Sequence, residues 1–139
     1  MRRAYSFYVY ILTNHTKTVL YIGITNNIIR RIIEHKFGYG SMFTEKYKLK
    51  HLIYFEKYQY SSSAIGREKE LKNWRREKKI SLIKTVNPLL LDLSQNIFKD
   101  FGITGEDIKN YVSEARRIRN IDPSSPAKAG SLGMTEKES

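Results

Sequence analysis

Phe7-Tyr8-Val9-Tyr10-Ile11-Leu12-Thr13, Asn14-His15-Thr16-Lys17 and Thr18-Val19-Leu20-Tyr21-Ile22-Gly23-Ile24 form the stretch that decides the fold. Two β-branched and aromatic runs separated by a short polar segment predict an antiparallel hairpin. A four-residue turn at Asn14–Lys17 sets Tyr10 opposite Tyr21. A three-residue turn shifts the pairing by one and moves one tyrosine to the other face. Taken alone, two facing tyrosines are more often packing than chemistry.

Outward from the hairpin, Thr25-Asn26-Asn27 offers helix caps, and Ile28, Ile29, Ile32 and Ile33 recur at helical spacing over 27–36. Arg31 and His35 stand four apart and share one side of this helix. Residues 37–50 read as a basic loop, and His51–Glu56 as a third strand. Ser61-Ser62-Ser63 opens a longer helix through about Lys79, a short one covers Ile80–Val86, and Asn87-Pro88 ends it. The expected class is α+β: a small three-stranded antiparallel sheet flanked by helices in the order β-β-α-β-α-α. Thr104-Gly105-Glu106-Asp107 resembles a capping box, and Ile108, Tyr111, Val112, Ala115 and Ile118 follow with helical period, giving a helix over 104–120. The organisation expected is a domain over 1–93, an appended helical segment over 94–121 and a disordered tail over 122–139, rich in Pro, Ser, Gly, Ala and Lys.

The chain has 139 residues and no cysteine, which excludes disulfides, thiolate metal sites and a cysteine nucleophile. Residues 1–90 hold 18 Lys/Arg against 6 Asp/Glu, whereas 91–139 hold 7 against 8. Nine of the ten tyrosines precede Ser61. A basic, tyrosine-rich first part suits a polyanion, with rings to stack on bases and cations to hold phosphates. No apolar run approaches the ~20 residues of a membrane span. Met1–Ser6 leads into no long apolar segment, so a secretory signal is not expected and a cytoplasmic location is. The helix over 27–36 is too short for a membrane-surface anchor.

Glu68 is the acidic residue that stands out. Ile65, Glu68 and Leu71 are spaced by three with Ala64 alongside, which puts a carboxylate on the stripe expected to face the sheet. A buried carboxylate must be protonated, paired with a cation side chain or bound to a metal ion.

Tyr8-Val9-Tyr10, the literal Tyr21-Ile22-Gly23, Arg31 ten residues after the second tyrosine, His35 one turn later, and Glu68 in Arg67-Glu68-Lys69-Glu70-Leu71-Lys72 together resemble the GIY-YIG nuclease superfamily, in the manner of its small single-domain bacterial members. The similarity covers roughly residues 6–93. Tyr8 stands where the first motif has glycine, and Ile24 stands where some repair relatives carry lysine. The resemblance implies metal-dependent hydrolysis of phosphodiesters, with DNA as substrate. It implies catalytic roles for Tyr10, Tyr21, Arg31, His35 and Glu68, with Glu68 as ligand to Mg²⁺ or Mn²⁺. Arg31 then holds a phosphate oxygen, Tyr10 accepts the proton of the attacking water, its own proton made easier to lose by the cation and Arg31, and His35 is the second candidate base. Arg30, Lys46, Lys48, Lys50, Lys72, Arg75 and Arg76 are candidates to hold the flanking backbone, and Asn87 matches the family's late asparagine. The competing expectation is a nucleic-acid-binding module on the same scaffold that does not cleave. The helix over 104–120 is a candidate contact for a protein partner or a second copy.

Overall fold

The protein is described by a computed structural model covering residues 6–121, with side chains to 118. The expected tail over 122–139 lies outside the described residues. Three strands, β1 (Phe7–Thr13), β2 (Leu20–Thr25) and β3 (His51–Tyr58), form an antiparallel sheet in the order β2-β1-β3. Six helices accompany it among the described residues: α1 (Ile28–Lys36), α2 (Met42–Lys46), α3 (Ser61–Asn73), α4 (Arg76–Lys84), α5 (Ser94–Asp100) and α6 (Gly105–Ile121). The class is therefore the α+β expected.

The sheet is buried on both faces, which is why the central strand reads as a nearly unbroken apolar run. On one face Tyr8, Tyr10, Leu12 and Tyr21 pack with the four isoleucines of α1 and with Ile97 and Phe98 of α5. On the other, Val9, Ile11, Leu20, Ile22 and Ile24 pack with Ala64 and Leu71 of α3 and Ile83 of α4. α6 adds Ile108, Tyr111 and Val112 to the first cluster and lies along α1. The box read at Thr104 is present: its hydroxyl accepts from Asp107 N at 3.1 Å and the Asp107 carboxylate accepts from Thr104 N at 2.8 Å.

The hairpin register differs from the expectation by two residues. Tyr10 lies opposite Gly23, and Tyr21 opposite Leu12. The connecting loop is longer than four residues because Asn14 organises it. Its Oδ1 accepts from Thr18 N (2.8 Å) and Val19 N (3.2 Å), and its Nδ2 donates to the Thr18 hydroxyl (2.7 Å). Those bonds withdraw Thr18 and Val19 from the ladder, and Lys17 takes a positive φ of 59°. A two-residue shift keeps every side chain on its face. Tyr10 and Tyr21 therefore still meet, as diagonal rather than direct neighbours.

The helix expected to run to Lys79 stops at Asn73, and the helix expected over Ile80–Val86 is α4, starting at Arg76. Trp74 and Arg75 are extended, with ψ of 150° and 156°. A helix from Ser61 to Lys79 would run about 28 Å, longer than the about 20 to 27 Å of these strands. The break turns α4 back so that Ile83 reaches the core. Trp74 fills the corner, with Lys78 Nζ 4.1 Å and the Arg67 guanidinium 5.1 Å from its ring. Ser61–Ser63 do not cap α3, whose N-cap position is Tyr60 with no side-chain bond. Glu56 adds a polar tie between α3 and the sheet to the packing of Ala64 and Leu71. Its carboxylate accepts from Tyr54 (2.5 Å), Tyr58 (2.6 Å) and both Nε and Nη2 of Arg67 (2.9 and 3.0 Å). Residues 37–50, read as a loop, contain α2, capped by Ser41.

Candidate active site

The site is built on the middle of the hairpin and the helix that follows it. Tyr10 points to the α1 face, directly across the ladder from Gly23. A Cβ at Gly23 would stand 2.5 Å from the Tyr10 hydroxyl and 2.6 Å from Cζ. The glycine of Tyr21-Ile22-Gly23 is thus the slot in which the Tyr10 phenol lies. Asn27 caps α1 by accepting from Arg30 N at 3.0 Å, which fixes the phase of the helix and brings His35 over the two tyrosines. The Tyr10 and Tyr21 rings are 6.5 Å apart, and His35 is 6.0 Å from the first and 6.4 Å from the second. His35 Nε2 is 3.5 Å from the Tyr10 hydroxyl, the outer limit of a hydrogen bond. Gly40 plays for His35 the part Gly23 plays for Tyr10: a Cβ there would meet His35 Nδ1 and the Thr44 hydroxyl at 2.6 Å each. Phe43 of α2 covers Tyr21, with ring centroids 5.8 Å apart.

Arg31 is 1% exposed and donates from Nη1 to Glu34 Oε1 at 2.7 Å. Its charge acts on both Tyr10 and His35. Glu68 is 5% exposed, with Oε2 3.1 Å from Lys72 Nζ one turn along α3. It shares the buried stripe with Ala64 and Leu71, while Ile65, expected on that stripe, is 41% exposed. The Glu68 charge is felt at the Tyr10 hydroxyl. Tyr10, Tyr21, His35 and Arg31 are thus gathered by β1, β2 and α1, and Glu68 adds its field from α3. In this arrangement all five are buried.

Burial sets the proton affinities. It pushes the Tyr10 phenol above its ordinary range, opposed by Arg31 and reinforced by Glu34 and Glu68. The expected easing of its proton loss rests on a bound cation together with Arg31, and Arg31 here acts in that direction against burial. Burial, with Arg31 adding to it, lowers His35 to about 3, so the imidazole is neutral and its protonated form is disfavoured in this arrangement. Glu34 is raised by burial, with Arg31 and Arg30 pulling the other way.

No three His, Asp or Glu side chains cluster into a metal cage among the described residues. The donor chemistry at Glu68 fits a hard divalent cation: it is a buried carboxylate whose Oε2 is met by the Lys72 ammonium at 3.1 Å, a positive charge where a cation would sit. One carboxylate with waters and a substrate oxygen is the way Mg²⁺ is commonly held.

Of the basic candidates, Lys46, Lys48, Arg75 and Arg76 are exposed. Arg76 spends two donors on the Thr18 and Lys17 carbonyls (3.1 and 2.7 Å). Lys50 donates to Lys36 O at 3.4 Å, Arg30 lies 3.7 Å from Glu34, and Lys72 pairs with Glu68. Asn87 is 4% exposed, and its amide ties Ile53 O, Leu91 O and Leu91 N together. It locks the turn after α4 to β3. Glu34, Gly23 and Gly40 were not singled out from the sequence. Glu34 was signalled by its place one turn after Arg31, whereas the two glycines show their role only once their neighbours are placed.

The model of the GIY-YIG catalytic domain matches residues 6–81 of this chain. The chain belongs to the GIY-YIG family. The UPF0213 proteins of Staphylococcus aureus strains Mu3, Mu50 and N315 are each 38% identical to it over 65 residues, 47% of this chain and 79% of theirs. No solved structure matches. Membership places the chain in a nuclease superfamily whose substrates are nucleic acids. No helix among the described residues is long and apolar enough to cross a membrane.

Proposed function

We propose that this GIY-YIG chain is a divalent-metal-dependent endonuclease that hydrolyses phosphodiester bonds of DNA. The observation that carries this is the Tyr10 hydroxyl: seated against Gly23, within reach of His35 Nε2, and under the charges of Arg31 and Glu68. Glu68 would hold Mg²⁺ or Mn²⁺, which supplies a Lewis acid for the phosphate and the leaving oxygen when bound. Arg31 offsets the negative charge that grows on the non-bridging oxygens. Tyr10 is the acceptor of the attacking water's proton and His35 the second candidate base; burial opposes the charged form of both, so either acts once the site opens to the substrate and the cation. Tyr21, diagonal to Tyr10, binds the phosphate or the water.

The second proposal, a binding module that does not cleave, draws on the burial of the whole set, since Tyr10 and Tyr21 are 0% exposed. Hydrolysis requires this site to open. Plasmid nicking with Mg²⁺ or Mn²⁺ separates the two. The nuclease nicks, and Glu68→Ala abolishes nicking without loss of folding. Nicking unaffected by Glu68→Ala refutes the metal role. Salt-sensitive binding with no cleavage of duplex, branched or single-stranded DNA leaves the module.

A further inference from the structure

We infer that Glu34 is the positioning residue for Arg31: it grips one prong of the guanidinium and holds the Nε edge ready for a phosphate oxygen. Glu34 Oε1 accepts from Arg31 Nη1 at 2.7 Å, with the two side chains 11% and 2% exposed. On the other side of the fork, Arg31 Nε is buried and has no hydrogen-bond partner. A guanidinium presents its five donors in a rigid plane, so fixing Nη1 fixes the direction of Nε as well. Arg31 shares α1 with His35, one turn apart, and its charge acts on both His35 and Tyr10.

Neighbouring ion pairs on an exposed helix are common and weak. This pair is neither exposed nor complete. A buried ion pair that leaves a donor unsatisfied is a poor way to stabilise a core, where apolar side chains of the same volume do as well. The unsatisfied edge is what a ligand oxygen would complete. Packing does not force the carboxylate onto Arg31 either. Glu34 also lines a cavity of about 310 Å³ between α1 and α6, with Arg30, Tyr111, Glu114 and Ile118, so it has room to turn away. Arg30 Nε, 3.7 Å from Oε2, steadies it from the rim. The inference rests on the proposed nuclease activity only for the identity of the phosphate, that of a nucleic-acid backbone.

The experiment follows the Arg31 Nε–H in the full ¹⁵N-labelled chain by NMR, titrated with inorganic phosphate and, separately, with a short DNA duplex free of divalent metal. In the wild type, this resonance exchanges slowly and shifts with both probes. Glu34→Asp keeps the charge but shortens the reach. It is expected to broaden the resonance and weaken the phosphate response about 10- to 100-fold. Glu34→Gln keeps an acceptor at the right distance and stays within about threefold of wild type. Single-turnover cleavage then shows a fall in kcat for Glu34→Asp at unchanged KM, with recovery in Glu34→Gln. A purely structural Glu34 would lower Tm while leaving the resonance, the phosphate response and kcat of the folded fraction as they were, and that result overturns the inference. So does a wild-type Nε–H that ignores phosphate. If the wild type cleaves nothing yet its phosphate response depends on Glu34, the nuclease proposal falls and this one stands. If the wild type cleaves and Glu34→Asp cleaves equally fast, only this one falls.

Discussion

Gly23 and Tyr10 form one unit, because the ladder sets them face to face and the phenol occupies the space a side chain at 23 would need. Gly23→Ala therefore overfills a packed core. It should cost about 1–3 kcal/mol and drive Tyr10 from its place, so that activity falls further than stability; urea denaturation and nicking on the same preparation check both. His35 gives a pH signature. Its folded value of about 3 is below that of the unfolded chain, so the unfolded state binds the extra proton between these values. Stability is complete above about pH 6.5 and falls as pH drops from there toward 3, by up to about 1.4 kcal/mol per unit. Glu34, raised by burial, acts in the opposite direction at the acidic end. The quantity to measure is thus wild type minus His35→Gln between pH 7.5 and 5.5. A difference that stays flat over that window contradicts a neutral buried imidazole. At this scale Tyr10, Tyr21, Arg31, His35 and Glu68 were visible in the sequence because each has a side chain with chemistry of its own. Gly23 and Gly40 matter through what they lack, and nothing in a single sequence distinguishes a slot from a turn.

At the scale of elements, what was legible followed periodicity and what was missed followed tertiary geometry. The facing of β1 and β2 was readable even though the register was off by two, since alternation fixes the face and only the loop fixes the pairing. The loop depended on the bonds of the Asn14 side chain to Thr16, Thr18 and Val19, which local sequence does not announce. The break at Trp74 carries no glycine or proline and falls where the chain turns to bring Ile83 into the core. Residues 37–50 hid α2 because its five residues show no period. The placement of α3, and of Glu68 with it, draws on Glu56 as well as on its apolar stripe. Glu56→Ala removes the acceptor of Tyr54, Tyr58 and Arg67 at once. Losing charge-assisted bonds of this kind should cost about 1.5–3 kcal/mol. Because α3 loses this polar tie, nicking should decline more than in a Glu70→Ala control, which breaks only the exposed Arg67–Glu70 bond (2.7 Å). Equal losses in the two variants would show that α3 is held by its apolar contacts alone.

Over the whole molecule the question is how much of the sequence's charge is available to a polyanion. The surplus is confined to residues 1–90, but folding commits part of it: Arg31 to Glu34, Lys36 to Asp92 at 2.5 Å, Arg67 to Glu56 and Lys72 to Glu68. Lys79 is buried at 2% exposure. Lys46 and Lys48, at the end of α2 and just after it, stay exposed. They follow directly on Gly40, Phe43 and Thr44, which cover His35 and Tyr21, so a backbone held there lies next to the tyrosine–histidine cluster. Each phosphate neutralised by such a cation contributes about −0.9 to the slope of log Kobs against log salt on duplex DNA. Lys46→Gln with Lys48→Gln should therefore flatten that slope by about 1.8, measured by fluorescence anisotropy on a duplex without divalent metal. Lys99→Gln with Lys109→Gln removes the same formal charge from exposed positions on α5 and α6, where acidic residues balance the basic ones. That pair should leave the slope where it was. If the two pairs flatten it equally, the DNA responds to net charge rather than to a placed surface, and Lys46 and Lys48 have no special part in holding it.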